Sequence, residues 1–260
     1  MLASCLLAHT ASAEVPRCQL ESGAARAIVG VLDGETLALD DNSQVRLIGA
    51  LAPRALDGGA DEGSWPLAQA AKAELERLTF GKSVDLGFAG RRTDRHGRLL
   101  AQVFVREAGE RVWVQGEMLR RGHARAYGLP GSTACLEDLV AAEKQAREAG
   151  IGVWGHASYQ IRPADRHREL LRYRSTYQLV EGKILDAADV RGRIYLNFGE
   201  NWREDFTVTV SPGSKRLFEE AGMDLLSLKA RRVRVRGWID RRGGPLIEIY
   251  HPGQLEALAE

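Results

Sequence analysis

Short apolar-rich runs over 27–31, 36–39 and 44–48, the last alternating polar and apolar from Gln44 to Leu47, predict three short strands separated by Asp-Gly and Asp-Asn turns. A loop rich in Gly and Asp follows. The period then changes: Leu67, Ala71, Leu75 and Leu78 recur at helical spacing, with Ser64 placed as N-cap, Pro66 suited to the first turn and Gly81 marking the stop. Strand character returns over 83–88, which alternates, and over 99–105, a nearly continuous apolar run, on either side of the basic turn "AGRRTDRHGR". Helices are predicted over 112–121 and 136–149, the second ending before Gly150. Three strands, a helix and two strands is the order of an OB-type barrel.

The same order repeats downstream. "YRSTYQLVEGKILDA", "GRIYLNFG" and "DFTVTVS" read as strands, "GSKRLFEEAG" as a short helix, and "RRVRVRGWID" with "GPLIEIYHP" as the closing pair. The fold class expected is α+β, mainly β: tandem OB-type barrels, the first with added helices over 24–155, a polar linker over 156–175 and a second small barrel over 176–260. The repeat is one of form, because the halves share no residue-level similarity.

Composition adds limits to this picture. Lys+Arg 36 against Asp+Glu 35 leaves a formal net charge of +1, so no global field draws the chain to polyanions and any basic surface must be local. "MLASCLLAHTASA", residues 1–13, is apolar, free of acids and ends in Ala11-Ser12-Ala13, the pattern of a signal segment; export to the periplasm or medium is expected. Lipid anchoring at Cys5 ranks second, since apolar sequence continues beyond it. Past that segment two cysteines remain, Cys18 and Cys135, and an even pair in an oxidising compartment is a candidate disulfide, with two unpaired core thiols as the alternative. No later run approaches the roughly 20 apolar residues of a membrane span.

Five blocks then carry a resemblance. "VLDGETLAL", "VRLIGALAP", "RRTDRHGRLLAQVFV", "GEMLRRGHARAY" and "AAEKQAREAGIGVW" resemble, in order, the blocks of the staphylococcal nuclease (thermonuclease) family over about residues 27–154. The resemblance implies a calcium-dependent phosphodiesterase. In that chemistry two aspartates and a threonine carbonyl help hold the metal, a glutamate activates water, and two arginines neutralise the phosphate. Glu35 falls on the first metal position, with Thr36 after it, and Arg46 and Arg98 fall on the two arginine positions.

The rest of the expected site departs from the family pattern. Leu51, Ala52, Pro53 and Arg54 stand where the second metal aspartate, the threonine and the catalytic glutamate belong. Calcium takes six to eight oxygen ligands and Leu51 offers no side-chain oxygen; a guanidinium cannot act as general base. Arg46, Arg54 and Arg98 together suit a phosphate that is bound rather than cut. Asp57, Asp61 and Glu62 are the carboxylates available to rebuild a calcium site. Asp33 reads as a turn former, and Glu35 as either a metal ligand or the ion-pair partner of Arg46 or Arg98. Tyr127 lies near a phosphate-proximal tyrosine position of the family, while Glu143 and Trp154 match positions of structural role. The histidines show no zinc spacing.

In "RRVRVRGWID", alternation puts Val233, Val235 and Ile239 on one face and Arg232, Arg234, Arg236 and Trp238 on the other. The second face is either a single-strand platform, which Tyr195 could join, or a solvated face balanced by acids such as Glu248. Three functions therefore stand. The first is an exported binder of nucleic acid, as single-stranded DNA or RNA, with little hydrolysis; the second is an active metal-dependent nuclease with substitute carboxylates; the third is an envelope protein-interaction module.

Overall fold

The computed structural model describes residues 15–58, 65–107 and 109–259. The signal-like segment, Cys5, Asp61, Glu62 and Ser64 lie outside the described residues. Strands β1 (Arg26–Asp33), β2 (Thr36–Leu39) and β3 (Gln44–Leu47) form an antiparallel meander, helix α1 (Pro66–Thr79) follows, and β4 (Ser83–Phe88) and β5 (Leu99–Glu107) complete a five-strand barrel. β3 runs parallel to β5, β5 antiparallel to β4, and β4 back to β1, which closes the ring. Period-two alternation sends Leu37, Leu39, Val45 and Leu47 inward, all nearly inaccessible to solvent.

Helix α1 sits against this barrel through Ala71, Leu75 and Leu78, the predicted stripe, with Leu67 in a neighbouring cluster. Trp65 occupies its N-cap position and Pro66 opens it, where a missing N–H removes no helical bond. The helix predicted over 112–121 is shorter, α2 (Val114–Arg120). Its expected first residues instead form the strand Glu110–Trp113, which pairs along β5. Trp113 is held there by its Nε1–H, which donates to the buried Gln102 Oε1 at 2.8 Å. Helix α3 (Leu136–Glu148) closes the unit. The expected disulfide is present between Cys18 and Cys135, across 117 residues of chain, and the Arg17 and Cys18 amides donate to Asp138 beside it at 3.0 and 3.2 Å.

The C-terminal unit comprises β6 (Tyr177–Lys183), β7 (Asp186–Val190), β8 (Arg193–Asn197), β9 (Thr207–Val210), α4 (Pro212–Glu220), β10 (Arg232–Arg242), β11 (Gly244–Ile249) and β12 (Leu255–Ala257). Its path is β6-β10-β11-β9-β8-β7, with β9 parallel to β11 as β3 is to β5, and β12 lies beside β10. The two ends of the path, β6 and β7, are consecutive in the chain. A separate core fills this unit, built from Val180, Leu196, Val208, Phe218, Val235 and Ile247.

The segment expected to be a linker is instead packed. Tyr159, Arg162, Ala164 and Leu170 are buried, and Arg162–Pro163 adds a short parallel strand to β6. Its apolar residues follow neither period 2 nor 3.6, so the sequence pattern gave no sign of that packing.

A shared apolar cluster that includes Leu51, Leu100, Tyr127, Trp154, Tyr159 and Tyr177 joins the two units. Beside it lies a buried ion network. Arg236, 1% exposed, donates through Nη2 to Glu143 Oε1 at 2.9 Å and Glu256 Oε1 at 2.7 Å, and through Nη1 to the Ala126 carbonyl at 3.1 Å. Arg147 donates to both carboxylates as well, at 2.8 Å in each case. Burial works against the Arg236 charge, but its neighbours Glu143, Tyr177 and Glu256 together, Glu143 first, hold its pKa above the usual arginine value. Arg236 was expected on a nucleic-acid platform; it is an internal clamp that no strand can reach.

Removing one member of such a pair leaves a buried charge uncompensated, at a cost of about 3–5 kcal/mol. Glu143→Ala and Arg236→Met should each lower the urea midpoint accordingly. The double variant should cost less than the sum of the two, by about 1 kcal/mol or more. Additive effects would show that the pair does not couple the units.

Candidate functional site

The β1–β2 hairpin builds the first part of the site. The Asp33 carboxylate accepts the Glu35 N–H at 2.8 Å, which makes Asp33 the turn former. A Cβ at Gly34 would stand 2.8 Å from the Cβ atoms of both Ala52 and Ala71, so only glycine lets the hairpin approach α1 this closely. Glu35 turns inward, 6% exposed, and its Oε1 lies 2.9 Å from Arg46 Nη2. Of the two partners expected for it in an ion pair, Arg46 is the one found. Register explains the choice, since the next residue, Thr36, stands directly opposite Arg46.

Burial raises the Glu35 pKa, and Asp33 adds to that rise while Arg46 and Arg54 oppose it. Burial works to lower the Arg46 pKa, but its neighbours, Glu35 first, raise it overall. The Arg46 guanidinium lies 5.8 Å from the Tyr127 ring centroid. Tyr127 is itself buried, its hydroxyl pushed up to about 12 by desolvation. Buried atoms here without a hydrogen-bond partner include Glu35 Oε2, Thr36 Oγ1, Arg46 Nε and Tyr127 Oη.

Arg98 is positioned from the basic turn by Asp94. The Asp94 carboxylate accepts Arg98 Nε at 2.8 Å and the amides of His96 and Arg98 at 2.8 and 3.1 Å. Desolvation of Asp94 is outweighed by these donors, Arg98 foremost, so its pKa is lowered. Arg54 is largely exposed, its Nε 3.5 Å from Asp57. Asp57 also accepts the Arg54 amide at 3.0 Å and the Tyr159 hydroxyl at 3.3 Å. Leu51 and Ala52 are buried, and Ala50–Leu51 pairs with Arg125–Ala126.

These residues do not fit a calcium ion. The one carboxylate buried in the cleft has an oxygen committed to Arg46, Leu51 contributes no oxygen ligand, and Asp57 is engaged by Arg54 and Tyr159. Among the described residues no group of three or more His, Cys, Asp or Glu side chains converges as a metal site.

The basic face of β10 is mostly neutralised. Arg232 and Arg234 both pair with Glu181, at 2.9 and 3.1 Å, and Arg234 also meets Glu256 at 3.4 Å. Glu248, the acid expected to balance this face, pairs with Arg193 instead. Tyr195 lies on β8, which borders β7 and β9 rather than β10. Trp238 remains, 43% exposed, with Tyr177 edge-on at 5.8 Å. The sequence reading missed Asp94, whose i,i+4 spacing to Arg98 was available as a signal, and Arg125 and Arg162, which carried none.

A closed five-strand barrel with two arginines at its hairpin cleft defines the class of protein. A family model described as staphylococcal nuclease homologue matches residues 44–156, and that segment belongs to the family. No curated protein matches the chain.

Because the native state binds the Glu35 proton more tightly than the unfolded chain does, this group's stabilising contribution is complete below the ordinary glutamate pKa. It is lost as pH rises through the raised native value. The urea midpoint of the wild type should therefore fall across that window, and Glu35→Gln should flatten this part of the profile. Superimposable profiles would show that Glu35 is not buried as described.

Proposed function

We propose that this protein is an exported nucleic-acid-binding member of the staphylococcal nuclease homologue family that does not use calcium for phosphodiester hydrolysis. The observation that carries this reading is the Glu35–Arg46 ion pair, which occupies the place where the resemblance put a metal ligand and its neighbouring arginine. The Glu35 carboxylate is engaged by a guanidinium in place of a metal. Leu51, Ala52 and Arg54 stand at the positions expected for the second metal carboxylate, the threonine and the base, and none of these side chains can bind calcium or take a proton from water.

Cationic groups for a phosphate backbone remain at the rim. Arg98 is fixed by Asp94, Arg54 is exposed, and Arg91 and Arg95 are exposed in the same basic turn as Arg98. Pre-oriented guanidinium groups bind phosphate oxygens by charge-assisted hydrogen bonds. Such binding is local and agrees with a near-neutral chain. The Cys18–Cys135 disulfide supports export, since such bonds persist in oxidising compartments. No helix among the described residues is long and apolar enough to cross a membrane.

The test is to incubate the mature chain with labelled single-stranded DNA and RNA, in calcium and then in chelator, and to measure binding across a salt series. The expected result is intact strands in both media and affinity that falls with salt. Arg98→Ala should reduce the slope of log affinity against log salt by about 0.7 if it removes one phosphate contact. Calcium-stimulated cleavage would contradict the reading and favour an active nuclease. Absence of salt-sensitive binding would favour a protein-interaction module.

A further inference from the structure

Where the two units meet, a cleft of about 460 Å³ opens beside the candidate site, with Leu51 and Arg54 in its wall. Its other walls come from the packed segment after α3 and from β6 and β10, so neither unit forms it alone. The volume lies within the range of small-ligand pockets. Three guanidinium groups line it, those of Arg54, Arg125 and Arg162, against the one carboxylate of Asp57.

The two inner arginines have no ion-pair partner. Arg125 is 6% exposed and its Nη1 donates to the Tyr177 carbonyl at 2.9 Å; its guanidinium lies 4.6 Å from the Tyr159 centroid and 5.6 Å from that of Tyr177. Arg162 is 8% exposed, donates to the carbonyls of Ala157 and Ser158 at 3.0 and 3.1 Å, and lies 4.2 Å from the Tyr173 centroid. Among the described residues neither has a carboxylate within ion-pair distance, and Arg162 Nε and Gln178 Oε1 are buried without partners. Buried charges are ordinarily paired, so two unpaired cations in the wall of an open cleft favour occupancy by an anion. At the edge, Trp238 presents the exposed aromatic surface.

We infer that this cleft binds one nucleotide of a single strand, with its phosphate at Arg54 and Arg125 and its base stacked on Trp238. The inference rests on the nucleic-acid reading above and extends it by placing a contact that needs both units. The guanidinium at the position of the family's base then has a binding role, because Arg54 is in the wall of this cleft.

The experiment measures affinity of the intact mature chain for a short single-stranded oligonucleotide and for a 5′-phosphorylated dinucleotide, with inorganic phosphate as a competitor. Trp238→Ala removes a half-exposed side chain and should weaken oligonucleotide binding about 5- to 150-fold, the range of one base–aromatic stack, its folding checked by the melting temperature. Trp238→Phe should recover much of that loss. Arg125→Gln should weaken both ligands and relieve phosphate competition, its folding checked by the same melt.

Oligonucleotide binding that is lost with Arg98→Ala but unchanged in Trp238→Ala and in folded Arg125→Gln would overturn the cleft and leave the proposed function standing. Dinucleotide binding that depends on Trp238 and Arg125 but not on Arg98 would support the cleft and move binding away from the family site. No binding by the wild type would overturn both.

Discussion

The architecture depends on one interaction, the buried contact of Arg236 with Glu143. Glu143 belongs to the last helix of the nuclease-like unit and Arg236 to a central strand of the C-terminal unit, and each is sealed from water. Such a pair gains little over well-packed apolar groups in net stability, yet it strongly penalises any arrangement that separates its members. It therefore fixes how the two units sit. Arg147 and Glu256 extend the same constraint, and the Ala126 carbonyl ties it to the backbone by accepting from both Arg236 and the Tyr177 hydroxyl.

That docking has consequences at the site. Once β6 lies against Ala126 and Tyr127, Tyr127 is covered and its hydroxyl is dry, and the wall that carries Leu51 and Arg54 gains an opposite wall. Two modes of charge management stand on either side of Leu51 and Arg54. Glu35 and Arg46 neutralise each other internally, whereas Arg125 and Arg162 rest on aromatic faces and carbonyls without a carboxylate. The first is an internal ion pair; the second has no carboxylate partner among the described residues.

Much of this was legible in the sequence because period-two alternation and the helical stripe of α1 are strong local signals. The Cys18–Cys135 bond followed from counting. The residues of the candidate site were legible too, through the family blocks, and Glu35 with Arg46 stood among the pairings considered. What the sequence could not give was relative placement. Alternation put Arg236 with Arg232 and Arg234 on one face, which is correct, but cannot say that another unit covers that face at Arg236 and leaves it open at Trp238. The segment after Trp154 read as a linker because its buried residues are irregularly spaced, and the helix read over 112–121 took in Trp113, which instead pairs with Phe104 across the hairpin that joins Glu107 to Glu110.

The central claim is that an arginine–carboxylate pair has replaced the metal at the hairpin. Anomalous diffraction from crystals soaked in a lanthanide that mimics calcium addresses it directly. The account predicts no anomalous peak at Glu35 and an intact contact to Arg46. A peak coordinated by Glu35, with Arg46 displaced, would contradict it.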